Sequence, residues 1–180
     1  LLWEGKVLAW ENLRHLQSRY GLENRHVFAD GRYEPEMVAK ECEKARTEKD
    51  DQPWNMLMGE TGDGYRVKIS PKRTVRRVYS DFIHSRSMAG FRYRFIKFSN
   101  LLAKNQLAVL MGGDGFGIPV DVSKQYQAQL QSEKKVEKSP GKWEWQPIKK
   151  THSNNHLWDC EVMQVVAACL FKVLVATVED

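Results

Sequence analysis

Asp30 in HVFADGRYEP and Asp159 in NNHLWDCEVMQVVAACLF are the two side chains whose type and setting point most directly to chemistry. The apolar run at 27–29 stops at Asp30, with Gly31 directly after it, and Asp159 stands between Trp158 and Cys160 near the start of a long apolar stretch. A helix that is apolar on one face rarely keeps an ionised carboxylate there without a partner or a metal, because an uncompensated buried charge is costly. Each acid also has a plainer explanation. Asp-Gly is a common turn pair and Asp30 can cap the helix that follows, while Asp159 can be a first-turn acid that complements the helix dipole for about 0.3–1 kcal/mol. His156 lies three residues before Asp159 and shares its helical side, so it could orient that carboxylate or meet a phosphate, or be an exposed neighbour of the cap. Glu161 falls elsewhere on the wheel and ranks with His156 as a second-tier candidate.

A second chemical feature is a concentration of positive charge. From residue 66 to residue 97 there are ten basic residues against Asp81 alone, although the whole chain carries only +5. Arg66, Lys68, Lys72, Arg73, Arg76, Arg77, Arg92 and Arg94 are the candidate nucleic-acid contacts among them, interleaved with Tyr65, Tyr79, Phe91, Tyr93, Phe95 and Phe98. The period-2 alternation predicts cations on one side of a sheet or hairpin and aromatic bodies on the other, which suits a phosphate backbone. The alternative is an ordinary solvated strand face.

The elements that must position these groups follow from apolar periodicity and turn residues. LLWEGKVLA has strand character, WENLRHLQSRYG reads as a helix stopped by Gly21, and NRHVFADG as a short buried strand. Pro35 suits a first helical turn, the charged loop ARTEKDDQP follows, and NMLMGE is a second buried strand. YRVKIS and TVRRVYS around Pro71, Lys72 and Arg73 read as a hairpin, and FRYRFIKFS as a half-exposed strand. NLLAKNQLAVLM reads as a helix closed by Gly112 and Gly113, SKQYQAQLQSEKKVEK as an exposed polar helix, and WEWQPI as a strand. The last helix starts near Asn155 and buries Val162, Val166, Leu170 and Val173. This order argues for an α/β domain with part of its sheet parallel.

Composition excludes several classes. With 180 residues, 42% of them apolar, the chain can bury a core as one domain spanning 1–180, with its basic hairpin region at about 65–98. No apolar run reaches the roughly 18–20 residues of a membrane span, and no secretory signal opens the chain. Cys42, Cys160 and Cys169 show no paired spacing for a disulfide framework or zinc site, and a reducing interior is expected. GGDGFG at 112–117 follows a helix rather than a strand, and no P-loop is present, so a nucleotide cofactor is not indicated. The tryptophans are expected in the core.

Taken in order and spacing, VFADGRYEPEMVAKEC, a short strand ending in glycine, QYQAQLQSEK, a Trp-containing strand and NNHLWDCEVMQVVAA resemble the C-terminal nuclease domain of phage terminase large subunits, nearest the lambda-type branch. The resemblance implies a ribonuclease H-like mixed sheet flanked by helices. It also implies two-metal hydrolysis of concatemeric double-stranded DNA, with carboxylates holding two Mg²⁺ or Mn²⁺ ions because hard cations prefer oxygen. It maps two of the family's three acids onto Asp30 and Asp159. The first acid would stand on an opening strand preceding Leu1, since Glu4 is on a different element; the fold is then expected to lack its first strand, and the isolated chain to cleave weakly or not at all. Further implications are partnership with the terminase small subunit and the portal or procapsid, and a place in the cytoplasm of a bacterial host. Two other readings stay open: a non-catalytic DNA-gripping or docking module of the same fold, and another ribonuclease H-like nuclease of resolvase or transposase type.

Overall fold

Strand register divides the apolar side chains of this protein between two layers of helix. The computed structural model describes residues 7–87, 90–114, 116–148, 155–174 and 177–179. Along the chain come α1 (Trp10–Arg19), a 3-10 turn at Asn24–His26, β1 (Phe28–Asp30), α2 (Pro35–Glu43), β2 (Asn55–Glu60), β3 (Tyr65–Ser70), β4 (Arg73–Arg77), β5 (Tyr79–Arg86) and β6 (Arg92–Ser99). Then follow α3 (Asn100–Met111), α4 (Lys124–Leu130), β7 (Glu133–Ser139), β8 (Lys142–Pro147), α5 (His156–Leu170) and β9 (Thr177–Glu179).

The principal sheet has the order β1-β2-β6-β5, with β1, β2 and β6 parallel and β5 antiparallel to β6. Asp30 pairs with Leu57, which pairs with Ile96. Paired residues share a face and neighbours in a strand alternate, so Phe28, Asp30, Leu57, Gly59, Ile96 and Phe98 form one side of the sheet. The apolar members of that side pack with Leu107 of α3 and with Val162 and Val166 of α5. The opposite side, with Ala29, Met56, Met58, Tyr93 and Phe95, packs with Val38 and Cys42 of α2 and with Trp54. This is a mixed α/β architecture with a four-stranded sheet flanked by helices, compatible with a ribonuclease H-like nuclease fold, as the sequence leads one to expect.

Two smaller sheets complete the chain: β3-β4-β9, and the β7-β8 hairpin. The β3-β4 hairpin expected around Pro71 is present. Gly64, at φ +94, makes the turn into it; a Cβ there would stand 2.5 Å from Leu102 Cδ1 and 2.8 Å from the Arg77 carbonyl oxygen. Gly64→Ala is therefore expected to destabilise the fold by about 1–3 kcal/mol, measured by urea denaturation; an unchanged midpoint would show that the turn tolerates a side chain.

Several local expectations are corrected. Val7, Leu8 and Ala9 are not in a strand, and the rest of LLWEGKVLA lies outside the described residues. TVRRVYS is two strands in different sheets, because Val78 between them is buried in the principal core. The long polar helix stops at Leu130: Tyr126, Gln129 and Leu130 are buried, and β7 begins at Glu133. A helix continuing through SEKKVEK would have had no apolar face to bury, whereas the hairpin sets Trp145 against Trp158, with ring centroids 5.7 Å apart. On α5 the buried face is Trp158, Val162, Val165, Val166 and Cys169. Leu170 is half-buried and Val173 is 77% exposed, because the helix ends at Leu170 and Lys172 turns away at φ +59. Trp54 and Trp158 are core residues, but Trp143 is 46% exposed. All three cysteines lie in helices and are free thiols.

Candidate metal centre

Asp30 ends β1 on the side of the sheet that α5 covers, and α5 starts beside the C-terminal ends of the parallel strands, so its first turn brings Asp159 to the same place. Both carboxylates line one cleft of about 200 Å³, together with Gly59, Asn100, Lys104, Glu133 and Asn155. A crevice beyond the carboxyl ends of parallel strands is where α/β sheets commonly bind ligands.

The chain at Asp30 is held by its own backbone. The Gly31 N–H continues the ladder to the Leu57 carbonyl at 2.9 Å, and Asp30 Oδ1 accepts the Arg32 N–H at 2.9 Å. Asp30 does not cap the next helix, which begins at Pro35 with Glu34 before it. Gly59 keeps the cleft floor low: a Cβ there would lie 2.8 Å from both terminal side-chain atoms of Asn100.

The neighbouring charges are unequally engaged. Lys104 Nζ, on the buried side of α3, donates to Glu133 Oε2 at 2.7 Å and stands 3.7 Å from Asp159 Oδ1. Asn155 Nδ2 donates to the other Glu133 oxygen at 2.8 Å. Glu133 thus has both oxygens engaged and a side chain 5% exposed, whereas the Asp159 side chain is 42% exposed. Burial raises the pKa of the Asp159 carboxyl above the usual carboxylate range; Lys104 opposes this, the Glu133 and Asp30 carboxylates add to it, and His156 opposes it weakly. The Asp30 carboxylate therefore acts on Asp159 as a like charge.

The raised pKa fixes a sign. Folded Asp159 holds its proton more tightly than the unfolded chain does, so its contribution to stability is greatest below the ordinary aspartate pKa and declines as pH rises through the folded value. Asp159→Asn removes this penalty. The variant's stability relative to the wild type is expected to be more favourable at pH 7.5 than at pH 4 in urea denaturation, and an equal difference at both would contradict the assignment.

A hard divalent cation fits this donor set. Mg²⁺ is commonly held by one or two carboxylates with water and substrate phosphate completing its shell, and a cation would relieve the mutual repulsion of Asp30 and Asp159. Among the described residues, no group of three or more His, Cys, Asp or Glu side chains is disposed to hold a metal ion. The three-carboxylate cage that the resemblance implies is thus not furnished by the described residues, and Glu4 lies outside them.

The remaining candidates separate. His156 is the exposed first residue of α5, close enough for its charge to act on Asp159. Glu161 is not in the cleft: it is buried against α4, accepting the Tyr126 hydroxyl at 2.7 Å and the Gln164 amide at 3.1 Å. Its role is packing, because at two residues beyond Asp159 the helix has turned it towards its neighbour.

The basic residues do not form a single face. In the β3-β4 register, Arg66 and Arg76 are partners, as are Lys68 and Thr74, so Arg66, Lys68 and Arg76 share one side. Arg77 is on the other; its Nε donates to the Tyr79 carbonyl at 2.6 Å, its guanidinium lies 4.7 Å over the Tyr79 ring, and it pairs with Asp81. Lys72 is at the turn and Arg73 opens β4. Arg92 and Arg94 belong to the principal sheet, on the N-terminal side of Ile96, which is level with Asp30; Arg94 lies 4.4 Å over Phe82 and donates to Gln52 at 3.2 Å. None of the eight lines the acidic cleft.

Sequence reasoning missed Lys104, Glu133, Asn100 and Asn155 as site residues. The signal for Lys104 was present: a lysine between Ala103 and Leu107 on the apolar stripe of a helix requires a buried partner. Glu133 was hidden because it was read into a helix that in fact ends before it.

Residues 93–177 match the family model described as terminase large subunit gpA, endonuclease domain. The resemblance read from the sequence is borne out over that stretch. The match takes in β6 from Tyr93 onward, α3, α4, the β7-β8 hairpin and α5, so Asp159, Lys104 and Glu133 lie within the matched segment and Asp30 lies before it. It supports a terminase nuclease domain as the coarse function. No curated protein and no solved structure matches the chain.

Proposed function

We propose that this chain is the metal-dependent endonuclease domain of a viral DNA-packaging terminase, hydrolysing phosphodiester bonds of concatemeric double-stranded DNA. The convergence of Asp30 and Asp159 in one cleft at the carboxyl ends of the parallel strands carries this reading, supported by the terminase endonuclease match. When bound, divalent Mg²⁺ or Mn²⁺ supplies Lewis acidity and an activated water; the family chemistry uses two such ions. In this reading Asp30 and Asp159 hold the metal. Glu133, bonded by Lys104 and Asn155, fixes the start of α5 and so the direction of Asp159, and Lys104 limits the negative charge an incoming phosphate meets. Arg32, which also lines the cleft, is placed to pair with that phosphate.

Partnership with a terminase small subunit and with a portal or procapsid, and a site of action in the cytoplasm of an infected bacterium, belong to the same proposal. Among the described residues, no helix is long and apolar enough to cross a membrane.

The test is nicking of supercoiled plasmid in Mn²⁺ or Mg²⁺ against EDTA, with RNA and branched DNA as competing substrates. Weak metal-dependent nicking of duplex DNA is expected, because Asp30 and Asp159 supply only two of the three carboxylates that the resemblance implies. Preference for branched DNA would favour a resolvase-type nuclease, and DNA binding without metal-dependent cleavage a gripping or docking module.

A further inference from the structure

Beside the acidic cleft, and sharing Arg32, Asn100 and Lys104 with it, lies a larger groove of about 590 Å³ walled by the β7-β8 hairpin. Its charge is opposite to that of the carboxylate pair. Lys135, Lys138 and Lys142 of the hairpin join Arg32 and Lys104 along it, against Asp63 and Glu144. Lys138 is paired with Glu144 at 3.2 Å and Lys104 with Glu133 at 2.7 Å, which leaves Lys135, Lys142 and Arg32 as the cations facing the groove without a carboxylate partner among the described residues.

An aromatic ring accompanies those cations. Trp143 lines the groove and is 46% exposed, with Lys135 Nζ 5.4 Å from its ring centroid. The wall that carries it is anchored: Trp145 Nε1 donates to Asn105 Oδ1 at 3.1 Å and its ring packs on the buried Trp158, so the hairpin is tied to α3 and α5. Nearly half of this large ring is thus left open to solvent on a fixed, lysine-rich hairpin. Lysines following a backbone together with an aromatic platform are the combination that binds single-stranded nucleic acid, phosphates on the cations and a base on the ring.

We propose that the β7-β8 groove, rather than the β3-β4 hairpin, seats the nucleic-acid strand that reaches the Asp30–Asp159 cleft, with its phosphates on Lys135, Lys142 and Arg32 and an unpaired base stacked on Trp143. This rests on the nuclease reading above and adds to it the strand's path and a locally unpaired state. The basic residues of the β3-β4 hairpin line neither the cleft nor the groove.

The test is fluorescence anisotropy with a labelled single-stranded DNA oligonucleotide and the matching duplex, in EDTA so that the carboxylates hold no metal. The wild type is expected to bind the single strand more tightly than the duplex. Trp143→Ala and the Lys135→Gln/Lys142→Gln double variant should each weaken single-strand binding by about tenfold, with Trp143→Phe restoring much of it, while Lys68→Gln/Lys72→Gln changes it less than about twofold. Wild-type affinity in the hairpin variants, equal affinity for duplex with Trp143→Ala harmless, or no binding by the wild type would each overturn the proposal. Circular dichroism of each variant establishes that it is folded. The two readings fail separately: strand binding through the hairpin without metal-dependent cleavage defeats only the nuclease assignment, whereas cleavage with unaltered affinity in the hairpin variants defeats only the groove.

Discussion

Asp159→Asn is expected to lower metal-dependent cleavage of plasmid DNA by more than about a hundredfold, since even residues that only orient a metal ligand commonly change affinity or activity by about 10–100-fold. Asp30→Asn should act similarly, and the double variant should be little worse than either single one, because residues that work as a unit lose their effect together. Asparagine keeps the shape of the side chain and one oxygen but removes the charge, so the fold is preserved while the attraction for a hard cation falls. Thermal melting gives an independent reading: Mn²⁺ should raise the melting temperature of the wild type and not of either variant, because only a ligand that prefers the folded state stabilises it. Nicking that continues unchanged in both variants would remove the cleft from the reaction.

The largest effect on stability is expected at a residue that does not hold metal. Lys104 is 8% exposed, and its Glu133 partner has a side chain only 5% exposed. Lys104→Met leaves that carboxylate buried with the Asn155 amide as its one remaining donor among the described residues. Removing one member of a buried ion pair typically costs about 3–5 kcal/mol, whereas replacing both members with apolar groups is often close to neutral. Lys104→Met should therefore destabilise the protein by about 3 kcal/mol in urea denaturation, and the Lys104→Met/Glu133→Leu double variant should recover most of that loss. If the double variant is as unstable as the sum of the two single ones, the pair is not coupled and its role in holding the start of α5 is lost.

The elements with one clear apolar period were legible from the residues alone. β2, β6, α1, α2 and α3 fall close to where alternation, Pro35 and Gly112 place them. The acidic pair was legible for different reasons: a carboxylate in the first turn of an apolar helix conflicts with burial unless something nearby compensates it, whereas Asp30 marks the point where a short apolar strand ends and the chain becomes exposed. The β7-β8 hairpin was not legible, because EKKVEK has no period that separates an exposed strand from an exposed helix, and its pairing is fixed by contacts remote in sequence such as Trp145 with Trp158. The distribution of the arginines was hidden by the same lack of long-range information. A positive run of sequence became two strands in one sheet and two in another, with Arg77 and Arg94 engaged by Tyr79, Asp81, Phe82 and Gln52.

The geometry also explains why the charge-rich segment and the acidic cleft are separate. Parallel strands gather their carboxyl ends at one edge, and it is there that Asp30, Gly59 and the start of α5 meet. Arg92 and Arg94 enter β6 from the other end. Apart from Lys104 of α3, the lysines beside the cleft belong instead to the hairpin between α4 and α5, within the segment that matches the terminase endonuclease family.

Anomalous diffraction from crystals of this chain soaked in Mn²⁺ tests directly the proposal that Asp30 and Asp159 share a cation. A peak within coordination distance of both the Asp30 and Asp159 carboxylates, absent from crystals of Asp159→Asn, is the predicted result. Manganese bound elsewhere, with neither aspartate within reach of it, would contradict the account.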